Sequence, residues 1–331
     1  EGMRVASWRS RMPPGYARYA MNALWTVATA PPRGRYDIYH ATYQRWEPAI
    51  RHRVLVATHH DATQEKFPQL FRNAAAIRAR KGRLYRRADM VICVSESARQ
   101  DLMEIYGVAE GRTRLVHHGV TPIAETGPFE DGDARPYVLY VGARSPYKNF
   151  LALVRAFAKA EPARSMRLAV AGGGAWSDAE RAAIGEGGLE DRILLLPRVD
   201  EARLGALYRG AALFVYPSLY EGFGLPPLEA MSAGCPVLVS RSSSLPEMCG
   251  DAAHYFDPAV DGSLEQELER LLGDRALLGA KVDAGHSQAG RYTWESAAVG
   301  TLAVYREALD RALDRARNRA QKRGRSAAPR G

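Results

Sequence analysis

Two carboxylates eight positions apart, Glu221 and Glu229, stand on either side of the Gly- and Pro-rich run Gly222-Phe-Gly-Leu-Pro-Pro-Leu228. The apolar stretch Ala211 to Tyr216 before them suits a strand covered on both faces. Gly222 and Gly224 allow close backbone approach, and Pro226-Pro227 opens a helix that carries Glu229, Ala230 and Met231. Gly234-Cys-Pro-Val-Leu-Val-Ser240 reads as the next strand, which frames the carboxylates in a βαβ unit. A strand-to-helix turn of this kind sits where ligands bind, and a helix N-terminus offers unpaired N–H groups to an anion or a polar ligand. The plainer reading makes Glu229 a first-turn charge and Glu221 a loop charge.

A second chemical cluster is Gly142-Ala-Arg-Ser-Pro-Tyr-Lys-Asn-Phe150, again between a strand and a helix. It sets Arg144 and Lys148 at the C-terminal edge of a sheet, where two cations can neutralise a diphosphate leaving group. Without an anion to meet, they would be solvated loop charges. Ala171-Gly-Gly-Gly174 follows another strand and permits tight backbone approach, though it is not a dinucleotide fingerprint. In the first part of the chain, strand ends carry Thr58-His-His-Asp61, Ser95-Glu-Ser97 and His118-Gly-Val120. Imidazoles there can donate to a developing oxyanion, and Ser95 can cap the helix that follows.

The elements positioning these groups alternate in α/β order. Strands are expected at 54–58, 90–94 and 113–117, with a helix over 96–106. A stretch rich in Gly, Pro and acids, 126–136, then reads as a linker. Beyond it, strands at 137–141, 166–171 and 193–196 alternate with helices over 148–160, 178–185 and 201–209, giving a doubly wound sheet. Thr293 caps a long last helix running from Trp294 toward Gln321.

On these motifs the chain resembles the retaining glycosyltransferases of the GT4 family, whose members have the two-domain GT-B fold. The resemblance rests on the paired glutamates and the turn between them, on Ala230-Met-Ser-Ala-Gly-Cys-Pro-Val237, and on Ser243-Ser-Leu-Pro-Glu247. It implies α/β architecture with two Rossmann-like domains facing across a cleft and a C-terminal helix crossing back to the first. The implied divisions are residues 1–128 on the acceptor side, 129–291 on the nucleotide-sugar side, and 292–331 as crossing helix and basic tail.

Glu229 is then expected on the donor ribose and Glu221 on the sugar hydroxyls, with Gly222, Phe223, Gly224 and Leu225 lining the donor. Arg144 and Lys148 would hold the diphosphate, Gly173 would lie near the base, and Arg198 and Val199 belong to the segment that reads it. His60 would approach the transferring carbon. Asp61, Ser95 and His118 fall on the acceptor side, and Gly15, in Pro14-Gly-Tyr-Ala-Arg-Tyr19, near the donor phosphate. His59 reads as a neighbour facing away. The first domain is shorter than the family's usual one, with no evident second strand between Trp25 and Tyr36; it is either trimmed or lacks residues.

The implied reaction is metal-independent transfer of a hexosyl group with retention, and no metal-binding DxD motif stands in the cleft segments. No cofactor is expected beyond the nucleotide-diphosphate sugar, and similarity around Tyr147-Lys-Asn-Phe150 and His59-His-Asp61 to O-antigen mannosyltransferases tips it toward GDP-mannose over a UDP-sugar. The acceptor is a glycan, a lipid-linked sugar or a small molecule. A nucleotide-sugar epimerase, a sugar phosphorylase and a catalytically silent nucleotide-binding scaffold are the alternatives.

Composition fits two domains: 331 residues, 46% hydrophobic, with three scattered cysteines that suit neither a disulfide framework nor a metal site. Neither a signal peptide nor a membrane-spanning run is evident, so a cytoplasmic protein is expected. The formal charge is +9, and residues 311–331 hold eight Arg/Lys against one Asp. That tail could meet an anionic membrane at its inner face or form a solvated helix. It lacks the interleaved aromatics of a nucleic-acid groove.

Overall fold

The structure, a computed structural model, describes residues 36–44, 50–123, 127, 129 and 131–326. Gly15 and its loop lie outside the described residues.

Two parallel sheets organise the chain. The first holds β1 (Tyr36–Ala41), β2 (His52–His59), β3 (Met90–Cys93) and β4 (Thr113–Leu115) in that order. The second holds β5 (Tyr137–Val141), β6 (Arg167–Ala171), β7 (Ile193–Leu196), β8 (Leu213–Tyr216), β9 (Val237–Ser240) and β10 (His254–Phe256). Their spatial order is β7-β6-β5-β8-β9-β10, the doubly wound order whose direction reverses between β5 and β8. In such sheets ligands bind beyond the carboxyl ends of the strands at this reversal. The motifs with Lys148 and Glu221 follow β5 and β8 respectively.

β3, β5, β6, β8 and β9 are nearly continuous apolar runs, because helices cover both faces of the sheets. Two clusters fill the second lobe, one around Leu139, Phe214 and Met248, which also takes in Val94 and Ala98 of the first lobe, and the other around Val138, Phe157 and Leu238. The stretch before β5 is tied down: the buried Arg167 pairs with Asp131 at 2.6 Å and approaches Asp133.

The helix expected to begin at Lys148 begins at Phe150, since Pro146–Lys148 form a separate 3-10 turn ended by left-handed Asn149. Strand β1 and the helix Ala74–Arg87 go beyond the sequence expectation. β1, Tyr-Asp-Ile-Tyr-His-Ala, is only half buried and lacks a continuous apolar run, and the helix is rich in Arg and Ala.

The last helix, Trp294–Ser326, returns to the first lobe. Val304 and Ala308 pack with Val54, Val56, Met90 and Ile92, so the first sheet's core is completed from the far end of the chain. Tyr305 bonds His40 at 2.7 Å, and Glu307 pairs with Arg114.

Candidate functional site

Beyond β8 the chain turns through Ser218–Gly224 into the helix Leu225–Ser232. Glu221 is fixed from three directions: its N–H donates to Ser243 Oγ at 2.8 Å, its carbonyl accepts from Ser244 Oγ at 2.9 Å, and its carboxylate meets Lys148 Nζ at 2.5 Å. Ser243 holds a left-handed backbone (φ 46°), uncommon for a residue with a side chain and typical of over-determined sites. Ser243 and Ser244, singled out only as part of the motif Ser243–Glu247, are thus the scaffold of the glutamate.

Lys148 also donates to Tyr216 OH at 3.0 Å and lies 5.3 Å from the Tyr147 and Tyr216 ring centroids. An ammonium has three N–H donors, so one remains for a ligand oxygen. The Lys148 and Glu221 side chains are 13% and 12% exposed, a pairing where charge is only partly screened by water.

Arg144 is placed differently. It donates to Glu180 at 2.7 Å, to the Gly172 carbonyl at 2.6 Å, and to the Gly174 and Ala175 carbonyls at 3.0 and 2.8 Å. Four of its five N–H groups are thereby engaged. Its side chain is 3% exposed and lies 4.5 Å from the Trp176 ring centroid, with Gly173 beneath the guanidinium. Arg144 therefore braces the loop after β6 with its one remaining N–H on a side chain that is almost closed off, whereas Lys148 is the more accessible cation and keeps one N–H for a ligand.

Glu229 is half-buried and accepts from Tyr208 OH at 3.0 Å. Burial pushes its carboxyl above the usual range, offset in part by that bond. Gly224 (φ 108°) makes the sharp entry into the helix, where Pro226 and Pro227 carry no N–H. The turn's offer to an anion is thus confined to the N–H groups of Gly224 and Leu225. Phe223 is buried and packs edge-on to His118 at 5.2 Å. Across the sheet, Arg198 is exposed and Val199 leans on the core.

The first lobe meets this turn directly. A Cβ on Gly222 would stand 1.9 Å from the His60 carbonyl oxygen, so only glycine fits there. Ser95, fully buried, accepts from the Ala98 N–H at 3.0 Å, the expected cap, and donates to the Gly222 carbonyl at 2.6 Å. Glu247 of the second lobe accepts from the N–H of Glu96 at 2.8 Å, from Ser97 at 3.3 Å and from His117 at 3.2 Å. Burial would raise its pKa, but these bonds at a helix N-terminus hold it below the usual range.

His60 stacks on His118 at 5.3 Å. Its Nε2 bonds the Thr42 carbonyl at 2.7 Å, which can only accept, so this nitrogen carries the proton and Nδ1 accepts from His118 Nε2 at 3.3 Å. Burial first, then the proximity of the His60 and His117 imidazoles, pulls His118 down to about 4. Asp61 accepts from the Thr63 N–H at 2.8 Å, which fixes its own loop. His59 points into the lobe, bonded to Tyr85 OH at 2.9 Å. Under this loop the buried Lys81 donates to the Asp61 carbonyl at 3.1 Å and to Gln64 and Glu65 at 2.9 Å. A lysine amid Arg-rich helix sequence gives no signal of such a role.

Positive charge is not confined to the tail. Residues 66–88 hold eight Arg/Lys and no acid. On the helix Ala74–Arg87, Leu84, Tyr85 and Lys81 face inward, while Arg78, Arg80, Arg83 and Arg86 are exposed and make no ion pair among the described residues. On the last helix Arg317, Arg319 and Lys322 are also exposed. Among the described residues no group of three or more His, Cys, Asp or Glu could hold a metal, and no helix is long and apolar enough to cross a membrane.

Residues 128–285 match the family described as glycosyl transferases group 1, and residues 2–122 match glycosyltransferase family 4. Among curated proteins, O-antigen chain mannosyltransferase B of Escherichia coli is 31% identical over 233 residues, 66% of this chain and 61% of that protein. The chain spans less than two thirds of the length of such relatives. Among solved structures, sucrose-phosphate synthase from Thermosynechococcus elongatus aligns with a TM-score of 0.70 at 23% identity, over 87% of this chain and 76% of that one. Anabaena HepE in complex with UDP and glucose also gives 0.70, at 20% identity over 88% and 82%. At these identities the likeness establishes the shared fold.

Proposed function

The chain belongs to the GT4 glycosyltransferases, with two Rossmann-like lobes and a last helix that returns to the first, and on that premise we propose that it moves a hexosyl group from a nucleotide-diphosphate sugar to an acceptor hydroxyl with retention. The observation that carries this reading is the placement of Lys148, Glu221 and Glu229 beyond β5 and β8, at the sheet's reversal, against the His60 loop of the other lobe.

Glu229, buttressed by Tyr208, takes the ribose hydroxyls, and the base lies toward Val199 and Gly173. Lys148 directs its remaining N–H to the diphosphate and stabilises the charge that grows as the sugar departs. Arg144 supports this from behind by shaping the Gly172–Ala175 loop, a smaller part than direct contact. Glu221 orients the sugar hydroxyls, and its bond to Lys148 leaves it a positioning charge instead of a nucleophile. His60, with His118 behind it, faces the sugar from the first lobe once a substrate hydroxyl replaces the Thr42 carbonyl. Asp61 and Ser95 act through the loops they fix.

The donor is a nucleotide-diphosphate sugar, with GDP-mannose favoured over a UDP-sugar as the reading to test first; a mannosyltransferase among the relatives supports a mannosyl group and leaves the base to the titration below. The acceptor is a glycan, a lipid-linked sugar or a small molecule. The exposed arginines of the helix Ala74–Arg87 and of the last helix support peripheral contact with an anionic membrane on the cytoplasmic side.

Calorimetric titration of the protein and of Glu229→Ala with GDP-, UDP-, ADP- and TDP-sugars tests the reading. Selective binding that is lost in the variant is the expected result. A folded protein that binds none of them, or one that converts the donor without any acceptor as an epimerase would, overturns it.

A further inference from the structure

Tyr220, the residue before Glu221, crosses from the second lobe into the first. Its ring is 4% exposed, with Phe67 6.3 Å away and Lys66 5.4 Å above it. Its hydroxyl accepts from the Ala62 N–H at 2.8 Å and donates to Asp101 Oδ2 at 2.6 Å. Asp101 is itself buried, and its other oxygen meets Lys66 at 2.7 Å. The hydroxyl is thus fully satisfied, and both partners belong to the other lobe. Two residues on, Gly222 rests on the His60 carbonyl and accepts from Ser95.

Glu221 therefore lies between two residues seated on the first lobe, while its own backbone and carboxylate are held by Ser243, Ser244 and Lys148 of the second. If the lobes part, the Tyr220 hydroxyl and the Ala62 N–H lose each other, and Asp101 keeps only Lys66. Parting the lobes exchanges these bonds for bonds to water, and a hydrogen bond to a charged carboxylate is favoured over that exchange, so this contact favours closure. It also transmits closure along one peptide unit to Glu221.

We propose that Tyr220 is a positioning residue: by docking its hydroxyl on Asp101 and Ala62 it couples lobe closure to the placement of Glu221. This rests on the transferase reading for its kinetic consequence and on contacts alone for its conformational one. Nucleotide binding, which uses Glu229 and the second lobe, is independent of it. Closure and turnover depend on it.

The test uses Tyr220→Phe and, from the opposite lobe, Asp101→Asn, each checked for folding by thermal melting. Labels on Arg83→Cys and Ala182→Cys, both exposed positions, report the interlobe distance; the three native cysteines are buried and do not compete. Either substitution is expected to lengthen or broaden that distance and to lower kcat roughly tenfold, while the Kd for GDP or UDP changes less than about twofold. The double variant should lose less than the product of the singles, because both remove one contact.

An unchanged distance in both variants overturns the proposal, as does nucleotide affinity falling in parallel with kcat. Should one variant fail to fold, the other decides. Absence of turnover in the unaltered protein with every nucleotide sugar would sink the transferase reading and leave the distance measurement to decide the coupling.

Discussion

The two lobes hold their polar residues in opposite ways. In the second, the carboxylates that face the cleft stand at the rim, Glu221 paired with Lys148 and Glu229 bonded by Tyr208, with the buried Arg144–Glu180 pair behind them. In the first, polar groups are drawn inward: Lys81 and Glu65 pair with 1% of either side chain exposed, His59 is buried on Tyr85, and His40 is tied to Tyr305 and Thr58. The second arrangement presents charge to a ligand. The first fixes the backbone of the loop that meets it, with neutral imidazoles. A buried ion pair is a weak stabiliser and a strong constraint, because breaking it strands a charge.

Lys148→Ala should break the comparison most sharply. With the more accessible of the two cations behind β5 gone, transfer is expected to fall by about 10²- to 10³-fold in kcat/KM. Arg144→Ala should lower the melting temperature and cost activity far less. Equal losses of activity at unchanged stability would mean that Arg144 reaches the ligand after all.

Val304→Ala, in the helix that closes the first sheet, should destabilise by roughly 2 kcal/mol. Because Val304 packs on Val54, Val56, Met90 and Ile92, hydrogen exchange should accelerate in β2 and β3 and remain unchanged in β5 and β8. Acceleration in both sheets would show the lobes to be one cooperative unit.

Acid should also act on the first lobe. Burial lowers His40 and His118 to about 4 and His59 to about 3, from 6.5. Below pH 6.5 the unfolded chain takes up protons that the folded chain refuses. Stability present at pH 7 is therefore lost as pH falls toward 4, by on the order of a few kcal/mol in total. His118→Gln should flatten that slope in a melting series from pH 7 to 4.5, and an unaltered slope would remove His118 from it.

The smallest effect concerns the outer arginines. Arg83→Glu with Arg86→Glu should weaken sedimentation with vesicles containing anionic lipid by several-fold at low salt and leave activity on a soluble acceptor unaffected. Binding that persists would move the contact to the last helix or exclude it.

The second lobe was largely legible in the sequence because its site is local. A strand of four or five apolar residues, a turn and a helix bring Lys148 and Glu221 into view within short windows, and β6, β7 and the helices after them fall within a few residues of expectation. β1 and the Arg-rich helix escaped because neither shows the apolar period that marks an element. Arg144 and Lys148 looked alike in sequence, four positions apart; burial beside Glu180 and Trp176 gave them different work.

Composition, period and turn chemistry by themselves determined that the chain forms alternating α/β units and that its chemistry sits at strand ends, since both follow from short-range backbone preferences. Only the tertiary structure decided which of those ends meet. Ser95 on Gly222, Tyr220 on Asp101 and Glu247 on the helix at Glu96 join residues more than a hundred positions apart. Such pairings depend on how two sheets and a returning helix pack, which no local window of residues contains.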